Sequence, residues 1–181
     1  MYGPGLPSFA NSLTTIRPGD SIWISLTANS GQLSGSVAAG GTGSGRISIA
    51  ASTFQPASDL AVYDKSFNQL APVGTDVESQ RYYAPVIIPD GAVILSMTVA
   101  FEASGGQVQA RLDYTPLGNG SNASQIFKLA EVLSSSGASP QTVQAYSHTV
   151  DNGANVYFLV VDLTGGPGTK LKGVSIAYAG S

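Results

Sequence analysis

The sequence predicts an all-β fold, an antiparallel β-sandwich or jelly roll with an extended N-terminal arm. Three observations predict it. Apolar and polar residues alternate with period two in several segments, the pattern of a half-buried strand. These segments recur at near-regular spacing along most of the chain. Clusters of Gly, Pro, Asn, Asp and Ser separate them and supply the turns.

Residues 1–45 differ from the rest and are expected to form an arm. Met1 to Asn11 is rich in Gly and Pro and reads as extended. The turn signal Pro18-Gly19-Asp20 leads into one strand, Ser21-Ile22-Trp23-Ile24-Ser25-Leu26-Thr27, in which Ile22, Ile24 and Leu26 alternate with Ser21, Trp23, Ser25 and Thr27. Gly31 to Gly45 is Gly/Ser/Ala-rich and reads as a flexible linker. The strand is amphipathic with no evident local partner, so its expected partner is the sheet edge of a neighbouring subunit.

From Arg46 to Ser181 the pattern is that of one β-sandwich domain. The strands expected are 47–51, 82–88, 92–102, 107–114, 126–133, 142–150, 156–163 and 171–178. Leu95, Met97, Val99 and Phe101 are expected on a core face, as are Val108, Ala110, Leu112 and Tyr114. Leu159, Val161, Val174 and Ile176 complete the expected core. Ser104-Gly105-Gly106 reads as a hairpin joining two of these strands, with Glu102, Arg111 and Asp113 on its polar face. Residues 124–133 hold no helical stripe and read as a strand.

Composition narrows the function. Charged residues are only 10% of the chain, against about 25% in an average soluble protein. A surface of hydroxyls and amides suits extracellular modules and fibre or capsid subunits. The net charge of −3, with no basic run, argues against nucleic acid as a partner. There is no cysteine, which removes disulfides and thiolate chemistry. No apolar run reaches the ~18 residues of a membrane-spanning helix. Met1 to Pro7 carries neither the basic nor the apolar region of a signal peptide.

Catalytic and metal patterns are weak, and no catalytic residue, metal or cofactor is expected. His148 is the single histidine and reads as a surface or edge-strand residue. No serine carries glycine at both flanking ±2 positions, so the nucleophile elbow is absent. Asp59, Asp64, Asp76, Glu78, Asp90, Asp113, Asp151 and Asp162 supply hard oxygens, yet no calcium-loop spacing joins them. Asp90-Gly91 and Asp151-Asn152-Gly153 read as hairpin turns. Asn119 and Asn122 each open a glycosylation sequon. Aromatic rings stack on sugar faces, and Trp23, Tyr63, Phe67, Tyr82, Tyr83 and Tyr146 are the candidates, foremost Trp23, Tyr82, Tyr83 and Tyr146.

Residues 46–181 resemble an uncharacterised β-sandwich domain common at the C-terminal end of secreted bacterial surface proteins. The resemblance lies in the opening 47–56, in Tyr83-Ala84-Pro85-Val86-Ile87-Ile88-Pro89-Asp90-Gly91, in 96–99, in Thr149-Val150-Asp151-Asn152 followed by 156–161, and in the closing strand 171–178. It implies a fold and no functional residue. Leu13 to Ile24 is similar to a segment that closes domains in multi-domain surface proteins.

Two functions follow as expectations. One is a non-catalytic structural subunit that assembles with copies of itself through Ser21–Thr27, in a virion component or an extracellular surface filament. The alternative is a carbohydrate-binding or adhesive module of a secreted surface protein, with glycan as partner. An extracellular, cell-surface or virion location fits both.

Overall fold

The computed structural model describes residues 23–29, 32–38, 44–74, 79–118, 125–135 and 139–180, the first two segments as backbone only. It divides into two units, residues 1–41 and 42–181.

The first unit contains a β-hairpin. Strand β1 (Trp23–Asn29) pairs antiparallel with β2 (Gln32–Ala38), from Trp23↔Ala38 to Asn29↔Gln32. This corrects two expectations. The assembly strand already has a partner within its own chain, and much of the expected linker is that partner. Two residues separate the strands, a length typical of tight hairpins. The Gly/Ser composition that suggested a linker is weakly informative, because strand pairing satisfies backbone groups whatever the side chains. Met1–Asn11, Pro18–Asp20, Ser21, Ile22, most of 39–45 and the side chains of Trp23 to Thr27 lie outside the described residues.

The second unit is an antiparallel β-sandwich. Its strands are β3 (Gly45–Ala50), β4 (Gln55–Pro56), β5 (Tyr63–Asp64), β6 (Ala71–Pro72), β7 (Gln80–Pro85), β8 (Val93–Ala103), β9 (Val108–Pro116), β10 (Phe127–Ser134), β11 (Gln141–Thr149), β12 (Asn155–Leu163) and β13 (Thr169–Ala179). One sheet has the order β10-β9-β12-β7-β4 and the other β11-β8-β13-β3; β5 and β6 form a small ribbon. All eight strands expected after Arg46 are present, and the described residues contain no α-helix, only two single-turn 3-10 helices.

The core fills the space between the sheets. Met97, Val99, Phe101, Val108, Ala110, Leu112, Leu159, Val161, Val174 and Ile176 are buried, as alternation predicts, together with Phe54, Tyr82 and Tyr157. Leu95 is a correction: it is 41% exposed, and Ile94 is buried instead. The cause is a bulge. On β13 the register passes from Ala177↔Ser96 to Tyr178↔Ile94, and on β11 from Gln144↔Ser96 to His148↔Ile94. Both neighbours skip Leu95, so the inward and outward faces exchange there.

The turns at Ser104–Gly106, Asp90-Gly91 and Asp151–Gly153 are a second correction. They are turns, but none closes a hairpin, since β7, β9 and β12 belong to the five-stranded sheet while β8 and β11 belong to the other. Each arches from one sheet to the other. Glu102 accordingly faces Lys170 and Lys172 of β13, not Arg111. Gly106 passes so close to the Thr164 carbonyl that a Cβ there would collide with it. The arches at Asp90 and Asp151 are tied together: Asn152 N–H donates to Asp90 Oδ1 at 2.8 Å, and Asn152 Nδ2 donates to the Ile88 carbonyl at 2.9 Å.

Candidate functional site

Period two along β12 sends Tyr157, Leu159, Val161 and Leu163 into the core and Phe158, Val160 and Asp162 to the opposite face of the five-stranded sheet. The antiparallel register then builds rows on that outer face. Phe158 lies between Asp113 and Pro85, Val160 between Arg111 and Tyr83, and Asp162 between Gln109 and Arg81. On β10, Lys128 stands opposite Asp113 and Glu131 opposite Arg111.

Aromatic and polar groups thus share one outer face, on which Val160 and Asp162 are buried beneath their neighbours. Tyr83, 38% exposed, packs at 6.2 Å between ring centroids and 58° between planes against Phe158. Beside them Arg81 forks onto Asp162, Nε to Oδ1 at 2.8 Å and Nη2 to Oδ2 at 3.1 Å. Those hydrogen bonds and the carboxylate charge raise the Arg81 pKa further. Gln109 Nε2 donates to Glu131 Oε1 at 2.6 Å, and Lys128 pairs with Glu131 Oε2. These donors hold the Glu131 carboxyl below its ordinary range.

Asp113 is the anomaly of this face. It is 1% exposed, and neither carboxylate oxygen has a hydrogen-bond donor among the described residues. Its nearest cation is Arg111, Nε to Oδ2 at 3.4 Å. Burial raises its pKa, against the lowering pull of Arg111 and Lys128. The expectation that Asp113 points to water is corrected.

The sequence-predicted aromatics separate. Tyr83 belongs to this face. Tyr82, its neighbour in sequence, points the other way and is fully buried, edge-on to Tyr63 at 5.9 Å, with its hydroxyl on Gln80 Oε1 at 2.6 Å. Burial pushes its pKa up to about 12. Tyr82 is therefore a core residue and unavailable to a ligand. Tyr146 is exposed on β11, an edge strand of the other sheet. Phe67 is exposed on the β5–β6 turn. Trp23 lies in β1, and its side chain is outside the described residues.

Phe158, Arg81 and Gln109 were not singled out from the sequence, and Asp162 entered only among the hard-oxygen candidates for calcium. Their signal was present: alternation against the core positions of β7, β9 and β12 places all four on the outer face.

His148 is half-buried, stacked on Tyr114 at 4.6 Å, and its Nε2 is 2.9 Å from the Tyr157 hydroxyl. Phe127 stacks on the same Tyr114 ring, at 5.0 Å. Among the described residues, the His148 ring meets the Tyr114 and Tyr157 rings and the Tyr157 hydroxyl, and no carboxylate or serine hydroxyl that would form a triad with it. Among the described residues no three acids or histidines cluster as a metal site; Asp76 and Glu78 lie outside them, as do Asn119 and Asn122.

Solved structures similar to this chain include a GH26-CBM35 β-(1,4)-mannanase of Podospora anserina, at 12% identity and TM-score 0.43 over 76% of this chain and 28% of that one. Another holds the CBM22-1 and GH10 modules of Clostridium thermocellum xylanase 10B complexed with xylohexaose, at 11% and 0.47 over 74% and 27%. A third is the C-terminal CBM6 of the laminarinase LamC from Zobellia galactanivorans, at 16% and 0.40 over 73% and 98%. The chain matches less than a third of the length of the first two. No ligand or reaction carries over from resemblances at this level. No protein-family model matches the chain, and no curated protein does.

Proposed function

We propose that this chain is a non-catalytic glycan-binding or adhesive module acting outside the cell, with the outer face of its five-stranded sheet as the ligand surface. The observation that carries the reading is the Tyr83–Phe158 ring pair set among fixed polar groups on one outer face. A sugar presents an apolar face to a ring and hydroxyls to carboxylates, amides and guanidinium groups. Arg81 and Asp162, and Lys128 and Glu131, neutralise each other, and Arg111 faces Asp113. A balanced face of this kind favours an uncharged glycan over a polyanion.

Affinity electrophoresis through a panel of neutral polysaccharides and polyuronates tests the proposal. Retardation by at least one neutral polysaccharide is expected. Tyr83→Ala is expected to weaken it about tenfold, equivalent to ~1.4 kcal/mol, without lowering the melting temperature. Binding that is absent across the panel, or indifferent to both Tyr83→Ala and Phe158→Ala, sinks the reading.

A further inference from the structure

Three acids of the outer face, Asp162, Glu131 and Asp113, are treated unequally. Asp162 takes both arms of Arg81, at 2.8 and 3.1 Å. Glu131 takes Gln109 Nε2 on one oxygen and Lys128 on the other. Asp113 is the deepest of the three, and neither of its oxygens has a donor among the described residues. Cations are close by all the same. Arg111 Nε comes to 3.4 Å from Oδ2 without hydrogen-bond geometry and is itself left unpaired. Lys128 stands directly opposite in the register of β10 and bonds Glu131 instead.

The place of Asp113 gives the imbalance a meaning. Its neighbour Leu112 points into the core, whereas Asp113 shares the outer face with its cross-strand partner Phe158. Residues directly opposite on antiparallel strands stand about 4.5–5.5 Å apart at Cβ. A sugar ring stacked on Phe158 therefore brings its edge hydroxyls over Asp113. Two of the groups flanking the carboxylate, Arg111 and Lys128, are long side chains and partly exposed. Such side chains change rotamer quickly, and rotamer changes commonly accompany binding. The oxygens can thus be uncovered without moving a strand.

In the free molecule a buried carboxylate without donors costs stability, and an amide or an apolar group of the same shape would serve the fold better. Groups kept at such a cost collect at functional positions.

We infer that Asp113 is the hydroxyl acceptor of the ligand face: two adjacent hydroxyls of a neutral sugar, its ring stacked on Phe158, donate to Oδ1 and Oδ2, one to each. Hydroxyl-to-carboxylate hydrogen bonds are short and strong. Two side by side fix the orientation of the sugar, which ring stacking alone leaves free. Asp162 and Glu131 have a different part, since their oxygens are already taken and they hold Arg81, Gln109 and Lys128 in place. The inference rests on the glycan reading and adds to it the residue that reads the sugar's edge.

Titration calorimetry at neutral pH tests it, on the full chain, with an oligosaccharide of the neutral polysaccharide that retards the wild type. Melting curves without sugar accompany it. Asp113→Asn is expected to fold, to melt roughly 2–4 °C above the wild type, and to bind at least about tenfold more weakly. A gain in stability joined to a loss of binding is not what a structural residue gives. O-methylation of the oligosaccharide keeps its ring and removes its donors; it is expected to weaken the wild type more than Asp113→Asn. An Asp113→Asn variant that binds like the wild type, while Tyr83→Ala and Phe158→Ala bind less, overturns this inference and leaves the glycan reading standing. A variant that binds less but also melts lower makes Asp113 structural and overturns it too. So does methylation that weakens both proteins equally. A wild type retarded by no neutral polysaccharide removes the glycan reading and this inference with it.

Discussion

The Tyr157 hydroxyl accepts the Asp151 N–H at 3.0 Å and stands 2.9 Å from His148 Nε2, joining the imidazole to the arch that leaves β11. Burial lowers the His148 pKa. A protonated imidazole would have to carry its charge against that burial.

The sign of the pH effect follows. The unfolded chain takes up the His148 proton near pH ~6.5, the folded one at lower pH. Stability from this group is full above that value and is lost as pH falls through the folded pKa. The wild-type melting temperature is expected to drop over this range more than that of His148→Gln. Parallel curves for the two proteins would remove the proton-linked role. Glycan binding, if measured in parallel, is expected to be unchanged in the variant.

Asp113 carries the opposite sign. Its raised pKa means that ionisation is disfavoured in the fold, so its contribution is lost as pH rises from the ordinary ~3.9 through the folded value. Asp113→Asn keeps the shape and removes the charge. Its melting temperature is expected to match the wild type near pH ~3 and to exceed it by roughly 2–4 °C near neutrality. A variant less stable than wild type at neutral pH would mean that the Arg111 attraction outweighs burial.

The bulge at Leu95 makes two adjacent stretches of β8 behave differently. Phe101→Ala is expected to cost ~3–5 kcal/mol, because the ring is fully buried. Leu95→Ala, at an outward position, is expected to change stability by less than ~1 kcal/mol. Chemical denaturation of both variants checks the register. A large loss at Leu95 would place it back in the core.

Residues 42–181 form a compact unit with its own core. A chain beginning at Thr42 is expected to fold and to melt within ~2–4 °C of the full chain, the shift that about 1 kcal/mol produces at this size. A broad, low-temperature transition in the shortened chain would show that the N-terminal hairpin is needed for stability.

Much of the sandwich was legible in the sequence. Alternation is a property of neighbouring residues, so 93–103, 108–116 and 155–163 announce themselves locally, and so do Phe101, Leu112 and Val161 as core. Local pattern also marks Phe158 and Tyr83 as outward residues, since each alternates with core positions on its own strand.

What the sequence by itself determined is the all-β class, the eight principal strands after Arg46 and most of their inward positions, because a period of two sorts side chains without reference to anything distant. Only the tertiary structure decided which sheet each strand joins. A Gly-rich turn such as Ser104–Gly106 serves a hairpin or an arch equally well, and the choice depends on hydrogen bonds to residues far away in sequence. The same holds for the β1–β2 pairing, the bulge that turns Leu95 outward, the burial of Asp113 and the meeting of Tyr83 with Phe158. It holds for Phe67 too: no local rule puts a phenylalanine at positive φ, and the contacts that hold it there come from Ser52, Leu171 and Lys172.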